Sequence, residues 1–91
     1  MTYQKLSKLL TDIKPGRLVT IEWLDAVFTM DKDEHQEQYQ KDGGIILYTS
    51  GHLVAFNENG ITVCAELNKD KTPSRDFNTI PLGMVKGVTT Y

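Results

Sequence analysis

The sequence predicts a mainly β domain: a small five-stranded barrel preceded by an N-terminal α-helix. Three observations carry that reading. Apolar residues recur at helical spacing only as far as Ile13, and beyond Pro15-Gly16 they alternate at period two in short runs. Turn residues separate those runs at close intervals. The chain has 91 residues, the length of one domain. About 75 residues of short strands fit a closed barrel better than a sandwich, which needs more strands.

The helix comes first. Leu6, Leu9, Leu10 and Ile13 fall at i, i+3, i+4 and i+7, with Tyr3 one turn earlier on the same stripe. Thr2 supplies the N-cap, and Lys14, standing before Pro15, ends the helix. Residues 1–14 are therefore assigned to the helix and 15–91 to the barrel. Val19, Ile21 and Trp23 alternate with Leu18, Thr20 and Glu22 as a strand with one buried face. Residues 30–42 are polar and form an acidic insertion, either a short helix capped by Asp31 or a loop, stopped by Gly43-Gly44. Ile45 to Thr49 is the next strand, Ser50-Gly51 breaks or bends it, and His52 to Phe56 follows. Asn57-Glu58-Asn59-Gly60 is a turn, in which Asn59-Gly60 signals a hairpin because both residues tolerate positive φ. Ile61, Val63, Ala65 and Leu67 alternate with Thr62, Cys64 and Glu66 as another half-buried strand. Residues 68–76 are a polar loop, Phe77 to Ile80 a short strand, Pro81-Leu82-Gly83 a tight turn, and Met84 to Thr90 the last strand.

Strand, long excursion, strand–hairpin–strand, single helical turn and last strand is the connectivity of an SH3-like barrel. The excursion falls where that barrel carries its largest binding loop. Three segments add a resemblance: Pro15-Gly16-Arg17-Leu18-Val19-Thr20-Ile21-Glu22-Trp23-Leu24-Asp25-Ala26, Tyr48-Thr49-Ser50-Gly51-His52-Leu53-Val54 and Ile80-Pro81-Leu82-Gly83-Met84-Val85. They resemble, in order over residues 14–91, a group of small phage- and prophage-encoded proteins of SH3-like barrel type. There the first segment is the opening strand with its Trp-x-Asp end, and the second a Ser-x-Gly-aromatic-Leu stretch. The third is an Ile-Pro-x-Gly turn into the last strand. The chain departs from that pattern at His52, where an aromatic is usual, and lacks the Gly-Trp pair expected after Asp25. The resemblance implies a viral or mobile-element origin, hence a role inside an infected or lysogenic cell, where a host or viral protein is the partner expected of the binding reading below.

Composition removes several classes. One cysteine excludes an internal disulfide framework and a structural zinc site built on paired cysteines. With 40% hydrophobic residues the chain is not a disordered polar one. No apolar run reaches the ~18 residues of a membrane span, and the start of the chain lacks the pattern of a signal peptide, so a cytoplasmic location is expected. A net charge of −2 argues against a broadly basic nucleic-acid binder, but the charge is unevenly spread. Residues 1–21 carry Lys5, Lys8, Lys14 and Arg17 against Asp12, a balance of +3. Residues 22–42 carry seven acids against Lys32 and Lys41, a balance of −5, and the remainder is neutral.

Candidate chemistry follows from these patterns. Asp31, Asp33, His35, Glu37 and Asp42 approximate the spacing of a calcium loop, but Gln36 stands where the turn needs Gly, so no metal is assigned. Cys64 lies mid-strand without a nucleophile signature, and Ser50-Gly51-His52 lacks a strand–turn–helix context, so no enzyme, catalytic residue or cofactor is expected. The favoured reading is a non-catalytic binding module. Trp23, Asp25, Phe28, Asp31, Asp33, Glu34, Glu37 and His52 would form an acidic, aromatic-lined surface for a Pro-rich or basic protein segment. Two alternatives stand beside it: single-stranded nucleic-acid binding through Lys69, Lys71, Arg75 and Lys86 with an aromatic face, and small-ligand or ion binding by an oligomer. The leucine stripe of the helix would either drive self-association or cover the barrel's open end.

Overall fold

Thr2 begins the first element as its side chain allows, its hydroxyl accepting the Lys5 amide at 3.2 Å. The structure is a computed structural model that describes residues 1–25 and 44–91. Helix α1 spans Tyr3–Leu10, two residues of turn follow, and the helix stops short of the expected Lys14 because Ile13 already closes a tighter turn on the Leu10 carbonyl at 3.0 Å. Eight residues are too few for a helix that stands alone in water. Leu6 and Leu10 are fully buried, and together they contribute several kcal/mol at about 1.5–3 kcal/mol per side chain. Leu9 and Tyr3 remain exposed, so only one line of the predicted stripe meets the core, and the helix covers the sheet. The α-amino group of Met1 donates to the Val85 carbonyl at 3.0 Å and fixes the other end of the helix to the last strand.

Among the described residues five antiparallel strands make one sheet: β1 (Leu18–Asp25), β2 (Ile45–Asn57), β3 (Gly60–Leu67), β4 (Pro73–Pro81) and β5 (Val85–Thr90). Their order is β4-β3-β2-β1-β5, with a 3-10 turn, Leu82–Met84, joining the two edges. The sheet is not closed by pairing of β4 with β5. Val19, Ile21, Leu53, Ile61, Val63, Ile80 and Val85 point from the strands into one core beneath α1.

Two expected strands, 45–49 and 52–56, are a single one. At His52 the strand changes partners: His52 lies opposite Leu18 of β1 and also opposite Cys64 of β3. Gly51 makes that passage fit, because a Cβ there would sit 3.0 Å from the Val63 side chain and the Cys64 carbonyl. Strand β4 starts at Pro73, earlier than expected, with Asp76 in the left-handed region at φ 61 where β4 bends along β3. The Asn57–Gly60 hairpin forms without positive φ at Asn59 or Gly60. Asn57 Oδ1 accepts the Asn59 amide at 2.7 Å instead, and Gly60 serves close approach to β4.

Candidate functional site

The Lys14-Pro15-Gly16-Arg17 turn is a type II turn in its residue chemistry: Pro at the second position, Gly at the third with φ 96, and Arg17 N–H donating to the Lys14 carbonyl at 3.2 Å. Three bonds anchor it to β2. Gly16 N–H donates to Leu53 O at 2.7 Å, Leu53 N–H to Arg17 O at 2.8 Å, and His52 Nδ1 to Gly16 O at 2.9 Å. A carbonyl oxygen only accepts, so His52 Nδ1 carries the proton.

The β3–β4 loop packs on the same turn. The Lys71 carbonyl approaches Gly16 so closely that a Cβ there would lie 3.2 Å from it. Lys71 adopts φ 72, and Asn68 O accepts its amide at 2.9 Å. Asp70 is used inside this loop: Oδ1 accepts the Thr72 hydroxyl at 2.6 Å and the Thr72 amide at 3.1 Å, which together hold the Asp70 carboxyl below its ordinary 3.8. Between turn and loop opens a cleft of about 370 Å³ with Lys14, Arg17 and Lys71 at its rim, His52 on one wall, and Pro15 and Leu67 as its apolar lining. A second hollow of about 270 Å³ shares Lys14 and Arg17 and adds Asp12 and Ile13.

The cleft opens beside the face of the sheet opposite the core. One cross-strand row there runs Phe77 (β4), Cys64 (β3), His52 (β2), Leu18 (β1). Tyr91 continues it, since Thr90 pairs with Val19 and the next residue falls beside Leu18. Tyr91 lies along β1: Arg17 Nη2 donates to its carbonyl oxygen at 2.6 Å, and its hydroxyl is 2.9 Å from Thr20 Oγ1. Phe77, Leu18 and Tyr91 are 55%, 44% and 63% exposed.

Toward the other end of β1 and β2 the same face changes character. Tyr48, 68% exposed, donates from its hydroxyl to Glu22 Oε1 at 3.3 Å, and Ile46 stands opposite Leu24. Trp23, expected among the binding aromatics, lies on the core side opposite Leu47, half-buried, with Nε1 donating to Thr49 Oγ1 at 2.9 Å. Asp25 ends β1 opposite Ile45. Phe28, Asp31, Asp33, Glu34 and Glu37 lie outside the described residues.

Of the basic quartet, Lys71 alone lines the cleft. Lys69 sits in the same exposed loop, Arg75 pairs with Glu66 at 3.2 Å, and Lys86 is the second residue of β5, at the far end of the sheet. Lys14 and Arg17, grouped in sequence with the helix, join Lys71 only through the fold. Comparison with protein-family models, curated proteins and solved structures finds no match. Cys64 is buried with its thiol 3.3 Å from the Glu66 carbonyl. Among the described residues, no three His, Cys, Asp or Glu side chains converge as a metal site, and no helix is long and apolar enough to cross a membrane.

Proposed function

We propose that the chain is a non-catalytic binding module that takes a basic protein segment with apolar side chains at the outer end of β1 and β2. The observation that carries this is the exposed pair of Ile46 and Tyr48 on the outer face, with the Tyr48 hydroxyl at the carboxylate of Glu22. Large exposed apolar side chains next to charge are the composition of a recognition surface. The −5 balance of residues 22–42 favours a partner of positive charge. The finer fold reading, an SH3-like barrel, belongs to the same proposal. A strand order with β1 between β2 and β5, and a helical turn before the last strand, supports it. The viral or mobile-element origin implied by the resemblance, with action in the host cytoplasm, is part of the same proposal.

The test compares proteins captured from host lysate by the parent, by Ile46→Ser/Tyr48→Ser, and by Asp31→Ser/Asp33→Ser/Glu34→Gln/Glu37→Gln. The captured partner is then titrated in purified form. We expect at least a tenfold loss of affinity for both variants at unchanged melting temperature. Affinity within twofold of the parent in both removes the reading.

A further inference from the structure

We infer that the opposite end of the outer face binds single-stranded nucleic acid, with bases on the Phe77–His52–Tyr91 row and phosphates at the Lys14–Arg17–Lys71 cleft. The inference uses none of the residues on which the protein-binding proposal rests. Single strands are held by two elements together: ring systems on which successive bases stack, and cations that follow the backbone. Both are present here and adjoin.

The row supplies the rings. Phe77 and Tyr91 are the exposed aromatics at its ends, and the imidazole of His52 lies midway on β2. Adjacent strands are about 4.8 Å apart, so each aromatic stands two strands, or about 10 Å, from His52 along the row. That span suits a strand of three or four nucleotides laid across the sheet. The protonated Nδ1 of His52 is tied to Gly16 O, so the ring is held in place while Nε2 stays available to a base edge. Cys64, between His52 and Phe77, is covered by its neighbours, so a strand would pass over that position without stacking on it.

The cleft supplies the charge. Lys14, Arg17 and Lys71 come from two segments that only the fold brings together. Among the described residues Arg75 and Glu66 form an ion pair with each other, so Glu66 does not neutralise any of the three cations. Asp70, next in sequence to Lys71, is ionised and held within the loop by the Thr72 hydroxyl and amide, so it offsets part of the loop's charge while Lys14 and Arg17 come from another segment. Arg17 uses one Nη2 proton on the Tyr91 carbonyl, which joins phosphate donor and stacking ring in one unit and leaves its remaining N–H groups for oxygen acceptors.

The experiment is fluorescence anisotropy of a labelled eight-nucleotide oligothymidylate at ~50 mM salt, with thymidine 5′-monophosphate as competitor. We expect binding that weakens with salt. Lys14→Gln/Arg17→Gln/Lys71→Gln should lose at least tenfold in affinity and reduce the salt slope by about 2, at ~0.7 for each phosphate of a single strand that is no longer neutralised. Phe77→Ala and Tyr91→Ala should each lose about 5- to 160-fold, the range for one stacked base. Lys5→Gln/Lys8→Gln, on the exposed helix surface, should stay within twofold. Three results would overturn the inference: no anisotropy change at 50 µM protein (roughly the weak end of non-specific binding), equal losses in the helix control, or a mononucleotide as potent as the octamer. The altered side chains are exposed, and a melting curve for each variant separates lost binding from lost folding.

Discussion

Gly60→Ala probes the tightest backbone approach in the sheet. Gly60 opens β3 opposite Pro81, and its φ lies outside the left-handed region, so any residue could adopt its backbone conformation. Space is what forbids one. A Cβ would fall well inside van der Waals contact of the Ile80 carbonyl oxygen, 3.1 Å from its carbon and 3.3 Å from Pro81 Cα. All three atoms are backbone, and β4 is held to β3 along the whole strand, so relief requires moving the ladder. Overpacking of this kind costs about 1–3 kcal/mol or more, against about 0.4–1 kcal/mol gained by restricting the unfolded chain. The net expectation is a loss of about 2 kcal/mol, which lowers the melting temperature of a domain this size by about 8–16 °C. Gly83→Ala is the control, since a Cβ there meets nothing within 4 Å. Urea melts followed by circular dichroism, with equal slopes, measure both. Gly60→Ala within ~0.5 kcal/mol of the parent, or Gly83→Ala as damaging, would refute the reasoning, because ordinary surface substitutions span that range.

Leu6→Ala should cost about 2–5 kcal/mol in the same assay, because the side chain is fully buried between helix and sheet; a loss under ~1 kcal/mol would show that α1 is not part of the core. Asp76→Val should destabilise by about 1–3 kcal/mol and Asp76→Gly should not, since a branched side chain resists the left-handed backbone that Asp tolerates; equal effects would contradict the bend in β4. The Asp70 carboxyl should titrate below 3.8 by NMR, so the loop stability it supplies is present above that value and lost as pH falls through the lower folded value. Thr72→Val, which removes the hydroxyl that lowers it most, should bring the midpoint back toward 3.8, and an unmoved midpoint would remove the assigned cause.

The elements were legible where local chemistry decides them. Thr2 caps the helix as its residue type predicts, and the period-two run 19–23 lines the core, whereas in 61–67 only Ile61 and Val63 do so and Ala65 is exposed. Errors arose where tertiary packing overrides local signals. Ser50-Gly51 reads as a break, yet Gly51 is there to let one long strand pass close over Val63 while changing partners. Asn59-Gly60 reads as a pair of left-handed residues, yet Gly60 answers to its neighbour on β4. Pro73 reads as loop, but proline is accepted as the first residue of an edge strand, and β4 is an edge. The cleft was hidden for another reason. Its cations are 54 residues apart at Arg17 and Lys71, and no window along the chain contains both.

The charge profile shows what that separation means. Along the chain it reads basic, acidic, neutral, and the neutral part draws no notice. In the fold, Glu66 pairs with Arg75, while Asp70 keeps its charge inside the loop on the Thr72 donors. Lys71 stands beside the basic turn, which the missing side chain of Gly16 allows the loop to reach. Strand β1 then connects two unlike ends of one outer face, with Arg17 just before its first residue and Glu22 and Leu24 near its last. Eight strand residues separate the ends by about 26 Å at ~3.3 Å each, beyond the ~8 Å screening length at physiological salt. At that separation charges at one end are screened from the other, so a near-zero net charge does not make either surface neutral.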